Sequence, residues 1–154
     1  MAAQRQPRQA RRKTSTPIAH NRWDLSDLVK KPPIDVERSL VELGKLVGQV
    51  ESARPQLQAT MSSPDFLAIL RLTESIAEVS NRLGAFAYLW FSENTKEAKS
   101  RSLKSRVEER LTALNNRLLF FDLWWQGVDS FNAERLMADA GDLRYHLETI
   151  RRYK

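Results

Sequence analysis

The sequence contains no cysteine, so disulfides, thiolate zinc sites, cysteine-held iron–sulfur clusters and a thiol nucleophile are all excluded. It has only two histidines, His20 and His146. A zinc hydrolase centre draws on about three imidazole or carboxylate ligands, commonly two histidines one helical turn apart beside a glutamate base. These two histidines are far apart and form no HExxH string. The Glu-x-x-His pairs that build di-metal bundles are missing as well. Neither GxxxxGKS/T nor GxGxxG occurs, which removes the common glycine-rich phosphate loops. No run of about 18 uncharged apolar residues is present, so no membrane-spanning helix is expected. The first 17 residues lack the apolar stretch of a secretory signal, and a reducing, cytoplasmic setting is the expectation.

Glycine and proline are sparse too, at five and six residues, which argues against collagen-like or loop-dominated chains. With 42% hydrophobic and 29% charged residues, the profile is that of one compact domain. Of the net charge of +6, five charges sit on Arg5, Arg8, Arg11, Arg12 and Lys13, with no acid among the first 17 residues. That stretch has too few apolar side chains to bury anything, so residues 1–21 read as a disordered basic tail. Its Arg and Ser/Thr content is that of a transit peptide, but it lacks an amphipathic face.

Beyond a turn-like opening segment that stops at Pro32-Pro33, helical periodicity takes over. From Asp35, taken as the N-cap, Val36, Leu40, Leu43, Val47 and Val50 form one stripe that ends before Pro55. A second helix opens at Ser63-Pro64-Asp65 with Ser63 as cap. Its stripe runs Phe66, Leu70, Thr73, Ala77, Ser80, Gly84, Ala87 and Phe91, widened by Ile69, Ile76, Leu83 and Trp90. Ser80, Gly84 and Ala87 leave room for close approach of a neighbouring helix. A third helix spans Lys96 to Gln126, stopped by Gly127, with a seam of Leu103, Val107, Leu111, Leu114, Leu118, Phe121 and Trp125. Over residues 118–125 the apolar side chains cover about 260° of the circumference at 100° per residue, so this stretch is expected to be surrounded. Asn132 caps a short helix carrying Leu136 and Met137. A last helix from Asp142 to Lys154 places Leu143, Leu147 and Ile150 on one face. The fold class is therefore all-α, a bundle of four to five helices behind the basic tail.

Chemistry finds little purchase on these helices. His146 reads as a partly exposed helical histidine, and the pairs Glu74/Glu78 and Glu108/Glu109 read as exposed polar edges. Gly44 and Gly48 form a GxxxG string, a weak signal in a soluble helix. Serines and aspartates are plentiful, yet none has a candidate base in reach for a nucleophilic triad. No catalytic, cofactor-binding or metal-ligating residue is assigned. The basic first half of the third helix could neutralise phosphates, but the body of the chain is nearly neutral and its aromatics lie on apolar seams, which argues against nucleic-acid binding.

The ordered strings nonetheless match a known pattern. Arg22-Trp23-Asp24-Leu25-Ser26-Asp27-Leu28 followed by a Leu/Val-seamed helix resembles the opening of the oligoendopeptidase F family of zinc metallopeptidases, within the thimet oligopeptidase superfamily. Ser80-Asn81-Arg82-Leu83-Gly84-Ala85-Phe86-Ala87-Tyr88-Leu89-Trp90-Phe91 is similar to that family's RLxAYAxLxF helix. Glu93-Asn94-Thr95 stands where the family has Asp-Thr. Arg106-Val107-Glu108-Glu109-Arg110-Leu111 through Leu118-Leu119-Phe120-Phe121-Asp122-Leu123 resembles the next long helix. Leu143-Arg144-Tyr145-His146-Leu147-Glu148-Thr149-Ile150-Arg151-Arg152 resembles the recurring YRHYLExxRR string.

The resemblance covers residues 22–154 and implies a bowl-shaped helical peptidase in which residues 22–154 wall one side of a deep cleft. It implies that zinc and its HExxH ligands belong to a later region of the full-length protein, that oligopeptides are substrates only there, and that this chain alone is inactive. The end at Tyr153-Lys154 reads as a cut within a helix. The apolar patch at Phe120, Phe121, Trp124 and Trp125 reads either as a docking surface for the C-terminal catalytic region or as part of a central bundle helix covered by its own neighbours. Two other expectations stay open: a stand-alone helical interaction module without catalysis, and a nucleic-acid-associated helical protein using the basic tail.

Overall fold

The computed structural model describes residues 23–93 and 95–152. The expectations for the tail, His20 and Tyr153-Lys154 lie outside the described residues. Among the described residues the chain forms five α-helices and no strand: α1 (Ile34–Ala53), α2 (Ser63–Glu93), α3 (Ala98–Gly127), α4 (Ser130–Met137) and α5 (Arg144–Arg152), with short 3-10 turns before Leu57 and before α5. No helix among them is long and apolar enough to cross a membrane.

The first three helices pack on one another, while α4 lies on α2 and α5 on α3. Their direction follows from which halves meet. One cluster joins Val36 and Leu40 of early α1 to Leu83, Phe86 and Ala87 of late α2 and Leu103 and Val107 of early α3. The other joins Leu43, Val47 and Val50 to Phe66, Ile69, Leu70 and Ile76, then to Leu114, Phe121 and Trp125. Thus α2 runs antiparallel to α1 and α3, in an up-down-up arrangement. The short helices close the second end with Leu136, Met137 and Leu147. Phe66 is its centre, stacked on Trp125 with ring centroids 5.0 Å apart and on Phe121 at 6.5 Å. Full burial of one such side chain contributes roughly 1.5–3 kcal/mol.

The five predicted seam positions of α1 are all buried. Its start differs: Pro33 holds the N-cap position, its carbonyl accepting from Glu37 N at 3.1 Å, and Asp35 lies in the first turn. The Asp35 carboxylate turns back to accept from Lys31 N at 2.9 Å, so it ties the preceding loop and caps nothing. Caps shift elsewhere too. Ser62, not Ser63, caps α2, accepting from Asp65 N at 3.2 Å and donating to its carboxylate at 2.6 Å. Asp129, not Asn132, caps α4 by accepting from Asn132 N at 3.0 Å.

The stripe expected on α2 holds at Phe66, Leu70 and Ala87 and along its widening line Ile69, Ile76 and Leu83, but is rotated at its small and polar positions. Ala77 is exposed and Thr73, Ser80, Gly84 and Phe91 are only partly buried, whereas Ile69, Ile76, Leu83 and Phe86 form the core line. Branched and aromatic side chains bury more apolar area per position, and they set the orientation against the small residues. Nor does Gly84 mark a close helix approach, because a Cβ there would meet only Leu111 Cδ1, at an ordinary 3.8 Å.

Candidate functional site

The aromatic stretch of α3 is only partly surrounded. Phe121 and Trp125 are buried in the domain's own core, so those two are not available as a docking surface. The helical wheel of α3 alone cannot show that Phe66, α4 and α5 cover them. Trp124 is partly buried, its ring 6.1 Å from Phe66, and Phe120 lies under the Arg54 guanidinium at 4.8 Å. On the far side Leu119 and Leu123, one turn apart, stay 52% and 67% exposed.

Two interhelical grooves gather chemistry-bearing residues. The first lies where α5 meets α2 and α3. Leu70, Thr73, Glu74 and Ala77 of α2 face Leu143 and His146 across a cavity of about 150 Å³. His146 is exposed and Asp122 of α3 is partly buried. Burial raises the Asp122 carboxyl above the ordinary carboxylate range, and the neighbouring His146 counters that only in part. Glu78 points to solvent, and Glu108 is exposed beside Lys104. Among the described residues no three His, Asp or Glu side chains converge as metal ligands. The chain's described donors therefore do not fit a zinc centre.

The second groove lies at the opposite end of the bundle, along the early turns of α3, where it faces first Pro33 and late α2 and then early α1. Its first compartment, about 370 Å³, is lined by Pro33, Trp90, Ala98, Lys99, Ser102, Leu103 and Arg106. Trp90 leans on Phe86, with ring centroids 5.6 Å apart, which fixes the indole as a wall. Behind that wall Trp23, Leu25 and Val29 of the opening segment line a cavity of about 330 Å³. The opening segment is held by a turn in which the Asp24 carboxylate accepts from Ser26 N at 3.0 Å, and hydrogen bonds from the Ser26 hydroxyl and then its backbone N–H lower the Asp24 pKa. Arg106 continues into a further cavity of about 200 Å³ with Glu37, Leu40, Val41 and Arg110. Lys99, Arg106 and Arg110 all lie off the apolar seam of α3 and are exposed. Their spacing of seven and four residues, which places them on one helical stripe, was the available signal.

No family model, curated protein or solved structure matches the chain.

Proposed function

We propose that this chain is the N-terminal helical wall of an oligoendopeptidase F-like zinc peptidase, a cytoplasmic enzyme that hydrolyses short peptides through a catalytic region elsewhere in the protein. The observation that carries this reading is the order and spacing of the resembling strings. They fall in sequence on the opening turn, the second half of α2, α3 and α5. Zinc and the general base belong, on this reading, to an HExxH helix outside these residues. What this chain contributes is shape: a rigid bundle whose surface grooves and exposed Leu119 and Leu123 accept the rest of the protein.

Two measurements test it. Purified chain with added zinc is expected to show no hydrolysis of a quenched fluorescent oligopeptide, and measurable turnover would sink the assignment. The coding sequence downstream of Lys154 is expected to carry HExxH; an in-frame stop there would favour the second reading, a stand-alone helical interaction module. The exposed leucine pair on α3 supports that second reading equally, because exposed apolar patches mark interaction surfaces on either account.

A further inference from the structure

We propose that the groove along the early turns of α3 is a docking site for an acidic amphipathic protein helix. One apolar side chain would enter the Trp90 compartment while carboxylates meet Lys99 and Arg110. The inference stands on the groove itself and does not require the peptidase reading.

Three observations converge on this occupant. The first is length. From Lys99 to Arg110 the α3 rim runs about 16 Å at 1.5 Å per residue, and Arg106 lines the cavities on both sides of it. The two compartments, which share Arg106, thus follow one another along about three turns of α3, a poor match to one small molecule. The second is its floor. Pro33, Trp90, Ala98 and Leu103 line the first compartment, and Leu40 and the exposed Val41 the next. A volume of about 370 Å³ admits a bulky apolar side chain, as helix-in-groove recognition requires.

The third observation is charge. Three cations line the two compartments against a single acid, Glu37, which is already paired with Arg106 at 2.9 Å. Among the described residues Lys99 and Arg110 make no ion pair, and both are exposed. An incoming acidic face therefore meets two uncommitted cations at the rim, where complementary charge speeds encounter and sets orientation. A nucleic-acid strand fits less well. Its bases need an open stacking platform, whereas the Trp90 ring is partly buried and already leans on Phe86.

The test is fluorescence anisotropy of a labelled synthetic amphipathic peptide, leucine on one helical face and glutamate beside it, titrated with the full chain. Saturable binding that weakens with salt is expected. Lys99→Glu combined with Arg110→Glu should weaken it at least tenfold, and so should Ser102→Trp, which fills the compartment from an exposed position. Circular dichroism melts of these variants should match wild type, since all three positions are on the surface. A counterpart peptide with lysine for glutamate should not bind. The proposal is overturned if the acidic peptide fails to bind or if the lysine peptide binds as well. Unchanged binding to the charge-reversed variant also overturns it. So does a single-stranded oligothymidylate that binds wild type, competes with the peptide and is lost in that variant.

Discussion

Single residues carry stability questions that the bundle architecture leaves untouched. Ser80 Oγ is the one buried side-chain polar atom without a hydrogen-bond partner among the described residues. A buried hydroxyl with no partner costs about 1–3 kcal/mol relative to its solvated state, and alanine is also the better helix former. Ser80→Ala is therefore expected to raise the free energy of unfolding by about 1 kcal/mol, read by urea denaturation. A loss would mean that the hydroxyl is satisfied in solution. Gly44 and Gly48 give a second case. They lie inside α1, and a Cβ at either would meet nothing within 4 Å, so their GxxxG spacing serves no close contact here. Gly44→Ala and Gly48→Ala should each stabilise by roughly 0.5–1 kcal/mol, because glycine carries excess backbone entropy into a helix. Destabilisation by either would reveal an approach to that face that the isolated bundle does not make.

At the scale of the elements, α5 is held to the end of α3 by side chains that reach backbone. Trp125 Nε1 donates to Leu147 O at 2.9 Å, Gln126 Nε2 donates to Ile150 O at 3.1 Å, and Arg151 Nη1 donates to Trp125 O and Val128 O at the end of α3. Two carboxylates in this region should respond to pH with opposite sign. Asp129 caps α4, and its hydrogen bonds from Asn132 lower its pKa. It binds its proton more weakly when folded, so it stabilises above the ordinary carboxylate value, and that contribution fades as pH falls through the depressed one. Asp122 is the reverse, since burial raises its pKa. Its contribution becomes unfavourable as pH climbs from the ordinary value through the raised one. Asp129→Ala should thus melt below wild type at neutral pH, and Asp122→Asn above it. Both differences should shrink in acid, and a gap that persists there would show that the effect is not ionisation. The faces of these helices were legible in sequence, for Leu147 is buried and Leu143 and Ile150 pack against the core as their spacing implies. The caps were less so. Ser62 and Ser63, or Asp129 and Asn132, are equally good capping types, and backbone geometry chooses between them.

For the whole molecule, periodicity was decisive where one apolar face is narrow and silent where partners decide. All five α1 seam residues are buried. On α2 two candidate lines competed, and the choice depended on what α3 offered opposite. Of the basic grooves only the stripe of Lys99, Arg106 and Arg110 on α3 was legible, for the same reason: their other walls come from Trp90 of α2 and from α1. The same mutual dependence bears on how the bundle unfolds. Its interior divides into two clusters, and Val79 of α2 and Leu111 of α3 pack against both. These two side chains, with three helices that run through both ends, couple the clusters into one cooperative unit. Phe66→Ala removes the ring at the centre of one cluster and should cost about 3–5 kcal/mol, a large part of a total stability of roughly 5–15 kcal/mol. If the coupling holds, amide hydrogen exchange in the variant should accelerate by a similar factor around Leu83 and Val107, at the distant end, as around Leu70 and Leu114. Acceleration confined to the Phe66 end would show two independently opening halves, and the bundle would then be a pair of stacked local units and not one rigid wall.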